Sequence, residues 1–142
     1  MSQITRDMLQ ITRCSNQFRS EYLEPLGLKS CHASYLTTLF RNPGISQDKL
    51  AKLIYIDKSN VARQTVALEA AGYVIRTPSK EDRRVMQLYP TQKTLDTMPK
   101  IFEMYTQWSD LLTQDLSPEE FDQLTDLLAK VKVRATEWME AR

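Results

Sequence analysis

The stretch SQDKLAKLIYIDKSNVARQTVALEAAG, residues 46–72, decides the fold. Ser46 is a residue type that caps helix starts, and Asp48 puts an anion in the first turn, where the helix dipole favours it. Leu50, Leu53 and Ile54 give this short helix its expected buried side. After Tyr55-Ile56, Asp57 is a second capping residue. It opens a helix that runs to about Ala71 and stops at Gly72. Two short helices joined by a turn of about three residues form a helix-turn-helix. On a helical wheel Val61, Thr65 and Leu68 cluster, which predicts the buried face of the second helix. The opposite face collects Ser59, Asn60, Arg63, Gln64 and Ala67. It is small, hydrogen-bonding and singly charged, whereas solvated faces are usually richer in Lys and Glu. Such a face suits a major groove, with Arg for guanine and Asn or Gln for adenine. Lys58, near the helix N-terminus, suits a phosphate, and Ser46 completes the candidate DNA-facing residues of this segment.

Downstream the period changes. Tyr73 to Arg76 reads as a strand, Thr77 to Arg83 as a polar connection, and Val85 to Tyr89 as a returning strand with Met86 and Leu88 inward. The hairpin tip gathers Lys80, Asp82, Arg83 and Arg84. Three cations there suit a minor groove, where negative potential favours Arg, and Asp82 is placed to orient an arginine through a bidentate ion pair. A helix-turn-helix followed by a hairpin is a winged helix.

Upstream, a helix from about Ser30 to Arg41 is expected to turn Tyr35, Leu36, Leu39 and Phe40 inward, and Asn42-Pro43-Gly44 ends it. A first helix over about residues 3–23 carries one apolar stripe, Ile4, Met8, Ile11, Phe18 and Tyr22, before Pro25 and Gly27. Beyond the hairpin, a helix over about 92–114 spaces Leu95, Met98, Phe102, Tyr105 and Leu112 helically. Ser117, Pro118 and Glu120 then form a capping box with Pro at the first helical position. The last helix sets Phe121, Leu124, Leu128, Val131, Ala135 and Trp138 in steps of three and four. The expected class is mainly α (α+β), a winged helix-turn-helix with N- and C-terminal dimerisation helices. Residues 1–142 read as a single domain, with the DNA-binding core at about 30–91 and the dimerisation helices at about 1–24 and 92–142.

Three long stripes outside so small a core are hard to hide, since each buried Leu, Phe or Trp contributes roughly 1.5–3 kcal/mol. A symmetric dimer solves this, and it presents two recognition helices to half-sites about one helical turn apart.

Composition narrows the function further. With 142 residues, 3 Gly and 6 Pro, the chain can bury a core and is neither collagen-like nor Gly/Pro-rich. No apolar run reaches membrane-spanning length and the N-terminus lacks a signal-peptide core, so no membrane association and a cytoplasmic location are expected. One His and two Cys argue against a disulfide scaffold or a zinc site. Neither a phosphate-cradling Gly loop nor a nucleophile–base pair supports an enzyme, and no cofactor is implied. Net charge is +1, but residues 1–56 and 57–100 each carry +3 while residues 101–142 carry −5. A basic middle and an acidic tail suit a protein whose middle faces a polyanion.

The pattern Leu28-x-x-x-His32-x-x-x-Leu36-x-x-Leu39, the helix-turn-helix and Asp82-x-Arg84 leading to Pro90-Thr91 together resemble the MarR family of bacterial transcriptional regulators, in element order over essentially the whole chain. The resemblance implies a homodimer that binds double-stranded DNA at a pseudo-palindromic operator, as a repressor of its own or adjacent genes that releases DNA when a small aromatic effector binds or a thiol is oxidised. It makes Arg84 the wing arginine in the minor groove and Asp82 its orienting partner. The family commonly has Thr and Gln where Lys29 and His32 stand, and Leu-Thr-x-x-Gly where this chain reads Pro90-Thr91-Gln92-Lys93-Thr94. Effectors of the family bind between the dimer helices and the winged helix, which brings Arg13, His32 and Tyr35 forward as effector-pocket residues.

Two other readings remain open at this point. One is a winged-helix module that binds a protein. The other is a thiol-based redox regulator. For the latter, Cys14 falls on the apolar side of the first helix and reads as a small buried hydrophobe. Cys31, near the start of the second helix, is placed for dipole stabilisation of its thiolate.

Overall fold

The structure is a computed structural model that describes residues 1–142. Its elements in chain order are α1 (Gln3–Leu23), a 3-10 turn (Glu24–Leu26), α2 (His32–Arg41), β1 (Ile45–Ser46), α3 (Gln47–Ile54), α4 (Lys58–Ala70), β2 (Val74–Pro78), β3 (Met86–Pro90), α5 (Gln92–Thr113) and α6 (Pro118–Glu140). Internal contacts group them into two compact units, Met1–Tyr105 and Thr106–Arg142.

In the first unit the core is built from Leu23, Leu36, Leu39, Leu50, Val61, Leu68, Tyr73, Leu88, Met98, Ile101 and Met104, drawn from every helix and the sheet. The three strands are antiparallel in the order β1-β3-β2. Ile75 faces Tyr89 and Arg76 faces Leu88 across the hairpin, and Ile45 pairs with Leu88 on its other side. Strand β1 was not expected. Two residues carry no periodicity, and only pairing with β3, far along the chain, makes them a strand.

Local signals set the helix starts. Ser46 Oγ accepts from the Lys49 N–H at 3.1 Å and Asp57 Oδ1 from the Asn60 N–H at 2.8 Å. Helix α4 ends where Gly72 takes φ +84°, letting the Tyr73 N–H reach the Leu68 carbonyl at 2.9 Å. Helix α2 starts at His32 rather than Ser30, with Cys31 at the cap position.

Two inward assignments are corrected. Phe40 and Leu53 are exposed, with Phe40 meeting the Phe102 ring edge-on at 5.8 Å. Helix α5 buries Thr94, Thr97, Met98, Ile101 and Met104, so Leu95, Phe102 and Leu112 are exposed. The helix carries two apolar stripes, and Thr94 joins the inner one because its hydroxyl donates to the Tyr73 carbonyl at 2.5 Å. On α1 only Ser15 and Leu23 are buried, with Phe18 and Tyr22 half-buried. Ile4, Met8 and Ile11 remain open, and Cys14 is exposed rather than buried because it sits on this uncovered part of the helix.

In the second unit the capping box is complete: Ser117 Oγ accepts from the Glu120 N–H and Glu120 Oε1 from the Ser117 N–H, at 3.1 and 3.0 Å. No residue between Thr106 and Arg142 is buried, and the stripe Phe121, Leu124, Leu128, Val131 and Trp138 is exposed along its length. No helix of the structure is long and apolar enough to cross a membrane.

Candidate nucleic-acid interface

Helices α3 and α4 are joined through Tyr55, which takes φ +57° at the end of α3. A non-glycine residue in this left-handed region is uncommon. It turns the chain sharply toward the Asp57 cap. Asp57 accepts both the Ser59 hydroxyl, at 2.7 Å, and the Asn60 N–H, and these bonds, the hydroxyl foremost, hold its carboxyl below the usual carboxylate range.

As the wheel predicts, Val61, Thr65 and Leu68 are the buried face of α4. Lys58, Ser59, Arg63 and Ala67 are exposed, whereas Asn60 and Gln64 are half-buried. Lys58 Nζ lies 3.5 Å from Asp48 Oδ2, a solvated pair that leaves the ammonium accessible. Ser46 is half-buried, its hydroxyl engaged in capping α3. Gln64 does not stand free on the outer face: its Oε1 lies 2.8 Å from His32 Nε2.

At the wing tip Asp82 grips Arg84 three times. Its Oδ1 accepts from the Arg84 N–H at 3.0 Å and from Nε at 3.1 Å, and its Oδ2 accepts from Nη2 at 3.2 Å. The Arg84 side chain is nonetheless 91% exposed, so its guanidinium is both oriented and presented. Arg84 is also the leading reason that the Asp82 carboxyl sits below its usual range. Lys80 and Arg83 are exposed beside it, and the loop is closed by the Ser79 N–H donating to the Val85 carbonyl at 2.7 Å.

One cluster escaped sequence reasoning. Gln47 Oε1 accepts from the Thr65 hydroxyl at 2.9 Å and from Arg76 Nε at 3.1 Å, while Arg76 Nη1 lies 3.6 Å from Glu69. These bonds tie α3, α4 and β2 together and fix the wing against the recognition helix. The available signal was period two: Arg76 shares a face with buried Val74, and an inward cation requires partners.

Of the effector-pocket residues, His32 and Tyr35 come together, their rings edge-on at 6.3 Å and both buried. Arg13 is exposed on α1 and bonds to neither. The Tyr35 hydroxyl is buried with no hydrogen-bond partner, and its pKa is pushed up to about 12, by burial first and then by Cys31 and Asp57, with Arg63 opposing. Burial likewise pushes the Cys31 thiol up, outweighing the helix-start backbone and Lys29. The expected dipole-stabilised thiolate is therefore corrected: half-burial costs the charged form more than the helix end returns.

The MarR family model matches residues 30–86 of this chain. The chain is 26% identical over 132 residues to the uncharacterized HTH-type transcriptional regulator YybA of Bacillus subtilis (strain 168), covering 93% of this chain and 88% of that one. Its structure is similar to that of the MarR protein from Peptoclostridium difficile DA00132, with a TM-score of 0.94, 27% identity, and coverage of 99% of this chain and 93% of that one. A MarR family transcriptional regulator from Listeria monocytogenes, solved in complex with 26mer DNA, matches with a TM-score of 0.88 at 27% identity over 98% of this chain and 93% of that one.

Proposed function

We propose that this chain, whose winged helix matches the MarR family model over residues 30–86, is a MarR-type homodimeric, sequence-specific DNA-binding transcriptional regulator. It acts in the cytoplasm as a repressor of its own or adjacent genes. Residues 30–91 bind the operator and residues 1–24 and 92–142 hold the dimer. The observation that carries the reading is the pairing, within one unit, of a helix face with exposed Lys58, Ser59 and Arg63 and a wing whose Arg84 is braced by Asp82 yet open to solvent. A guanidinium held in a fixed direction away from the protein surface suits a groove of high negative potential. The open stripes on α1, α5 and α6 support self-association, because a second copy of the same surfaces covers them symmetrically. Relief of repression by a small aromatic effector is supported by the buried, unpartnered Tyr35 hydroxyl beside His32, a polar group for which a ligand would supply the missing partner.

The test is footprinting and salt-titrated binding on genomic fragments that include the DNA flanking its own gene. A two-fold symmetric footprint with affinity that falls steeply with salt is expected. Salt-insensitive or absent protection on every fragment would overturn the reading.

A further inference from the structure

His32 is 4% exposed, yet both of its ring nitrogens are bonded. Nδ1 lies 3.0 Å from the backbone nitrogen of Lys29. A backbone N–H can only donate, so Nδ1 carries no proton and the neutral ring bears its hydrogen on Nε2. Nε2 therefore donates to the Gln64 atom 2.8 Å away, which must be the carbonyl oxygen Oε1. The Gln64 amide is thereby prevented from flipping, and its Nε2 lies 3.4 Å from Asn60 Oδ1 and donates to it. Asn60 is in turn left with Nδ2 as the end of its amide not used in the chain. Four groups, from the Lys29 N–H through His32 and Gln64 to Asn60, thus run in one hydrogen-bond direction, and that direction is set by a backbone donor that cannot reverse.

We propose that His32 is a positioning residue for DNA recognition: through Gln64 it fixes the polarity of Asn60, so that the recognition helix offers amide N–H donors at that point. The proposal rests on the DNA-binding reading above and deepens it. Donors fit an acceptor edge in the major groove, a purine N7, a guanine O6 or a thymine O4, and meet the amino group of cytosine donor to donor. Gln64, its oxygen held by His32, is not free for the bidentate adenine contact that its place on the wheel suggested. The buried residue His32, outside any DNA contact, becomes a determinant of which base is excluded.

Two measurements on the full-length protein test this. The chain contains a single histidine, so long-range proton–nitrogen NMR reads the tautomer of His32 without ambiguity. The Nε2–H form is expected at neutral to mildly alkaline pH, and the Nδ1–H form or an averaged ring would overturn the relay whatever the protein does with DNA. The second is binding-site selection from a randomised duplex pool. The parent is expected to exclude cytosine at one base pair of each half-site by about fivefold or more. Asn60→Ala should erase that exclusion. His32→Phe should erase it at the same position, with the salt slope and the rest of the site unchanged, and His32→Phe combined with Asn60→Ala should lose nothing more. Gln64→Leu breaks the same chain from an outer helix position and should reproduce the loss should His32→Phe fail to fold. Either single variant keeping the parental exclusion overturns the relay alone. A parent with the expected tautomer that selects no sequence overturns the DNA-binding reading and this role with it.

Discussion

Removing the guanidinium at the wing tip, as Arg84→Ala, separates an effect on DNA from any effect on folding. The Arg84 side chain is 91% exposed and its ion pair with Asp82 lies on the surface. Exposed pairs contribute about 0–1 kcal/mol, so the urea midpoint should hardly move. Binding should respond differently. In the proposed dimer each of the two wings would neutralise about one phosphate equivalent, and each phosphate contributes about −0.9 to the slope of log affinity against log salt. The slope for Arg84→Ala should therefore be shallower by about 1.8, and between about 50 and 200 mM salt the affinity gap to the parent should narrow roughly tenfold. Fluorescence anisotropy across a salt series on one operator fragment measures this directly. Asp82→Asn is the companion variant: it keeps the guanidinium but releases its brace, so affinity should fall while the slope stays near that of the parent. An Arg84→Ala line parallel to the parent's would show that Arg84 meets no phosphate field and that the wing assignment is wrong.

Other expectations follow from single residues. Burial places the His32 imidazole below the ordinary value of 6.5, outweighing its bond to Gln64, so the unfolded chain takes up the proton first. Its contribution to stability is present above 6.5 and lost as pH falls from there through the lower folded value; urea titrations should show that decline in the parent and not in His32→Phe. Tyr35→Phe removes a buried hydroxyl with no partner and should leave stability unchanged or raise it by up to about 1–3 kcal/mol, while weakening any aromatic effector. Leu128→Glu places a charge in the half-exposed stripe of α6, and sedimentation equilibrium should shift toward the 16.5 kDa single chain.

What the sequence made legible was mostly local. The caps at Ser46, Asp57 and Ser117 are bonds to the N–H three residues on, so residue type and position suffice to find them. The buried face of α4 was legible for the same reason, whereas the pairing of Asp82 with Arg84 in particular, rather than with another wing cation, came from the family resemblance. What escaped depends on partners far along the chain. Gln64 looks free on a wheel and is bonded to His32, 32 residues away; Gln47 gathers Thr65 and Arg76 across 18 and 29 residues. Helix α5 offered two apolar stripes, and only the surface it packs on decides between Leu95 and Phe102 on one side and Met98 and Ile101 on the other. For Cys14, the stripe was read correctly as apolar, but an apolar face is a demand for cover, and the remainder of this single chain does not supply it.

In the proposed dimer the unit Thr106–Arg142, which has no buried side chain within one chain, would make the amount of protein in the cell part of its own thermodynamics. If a twin copy supplies the missing interior, the free energy of the folded form rises with the logarithm of chain number. Newly made molecules at low abundance then face proteases with a frayed tail, while an abundant pool protects itself. Occupancy of an operator would accordingly rise more steeply than in proportion to synthesis, a threshold arising from a last helix, α6, that lacks an inside of its own.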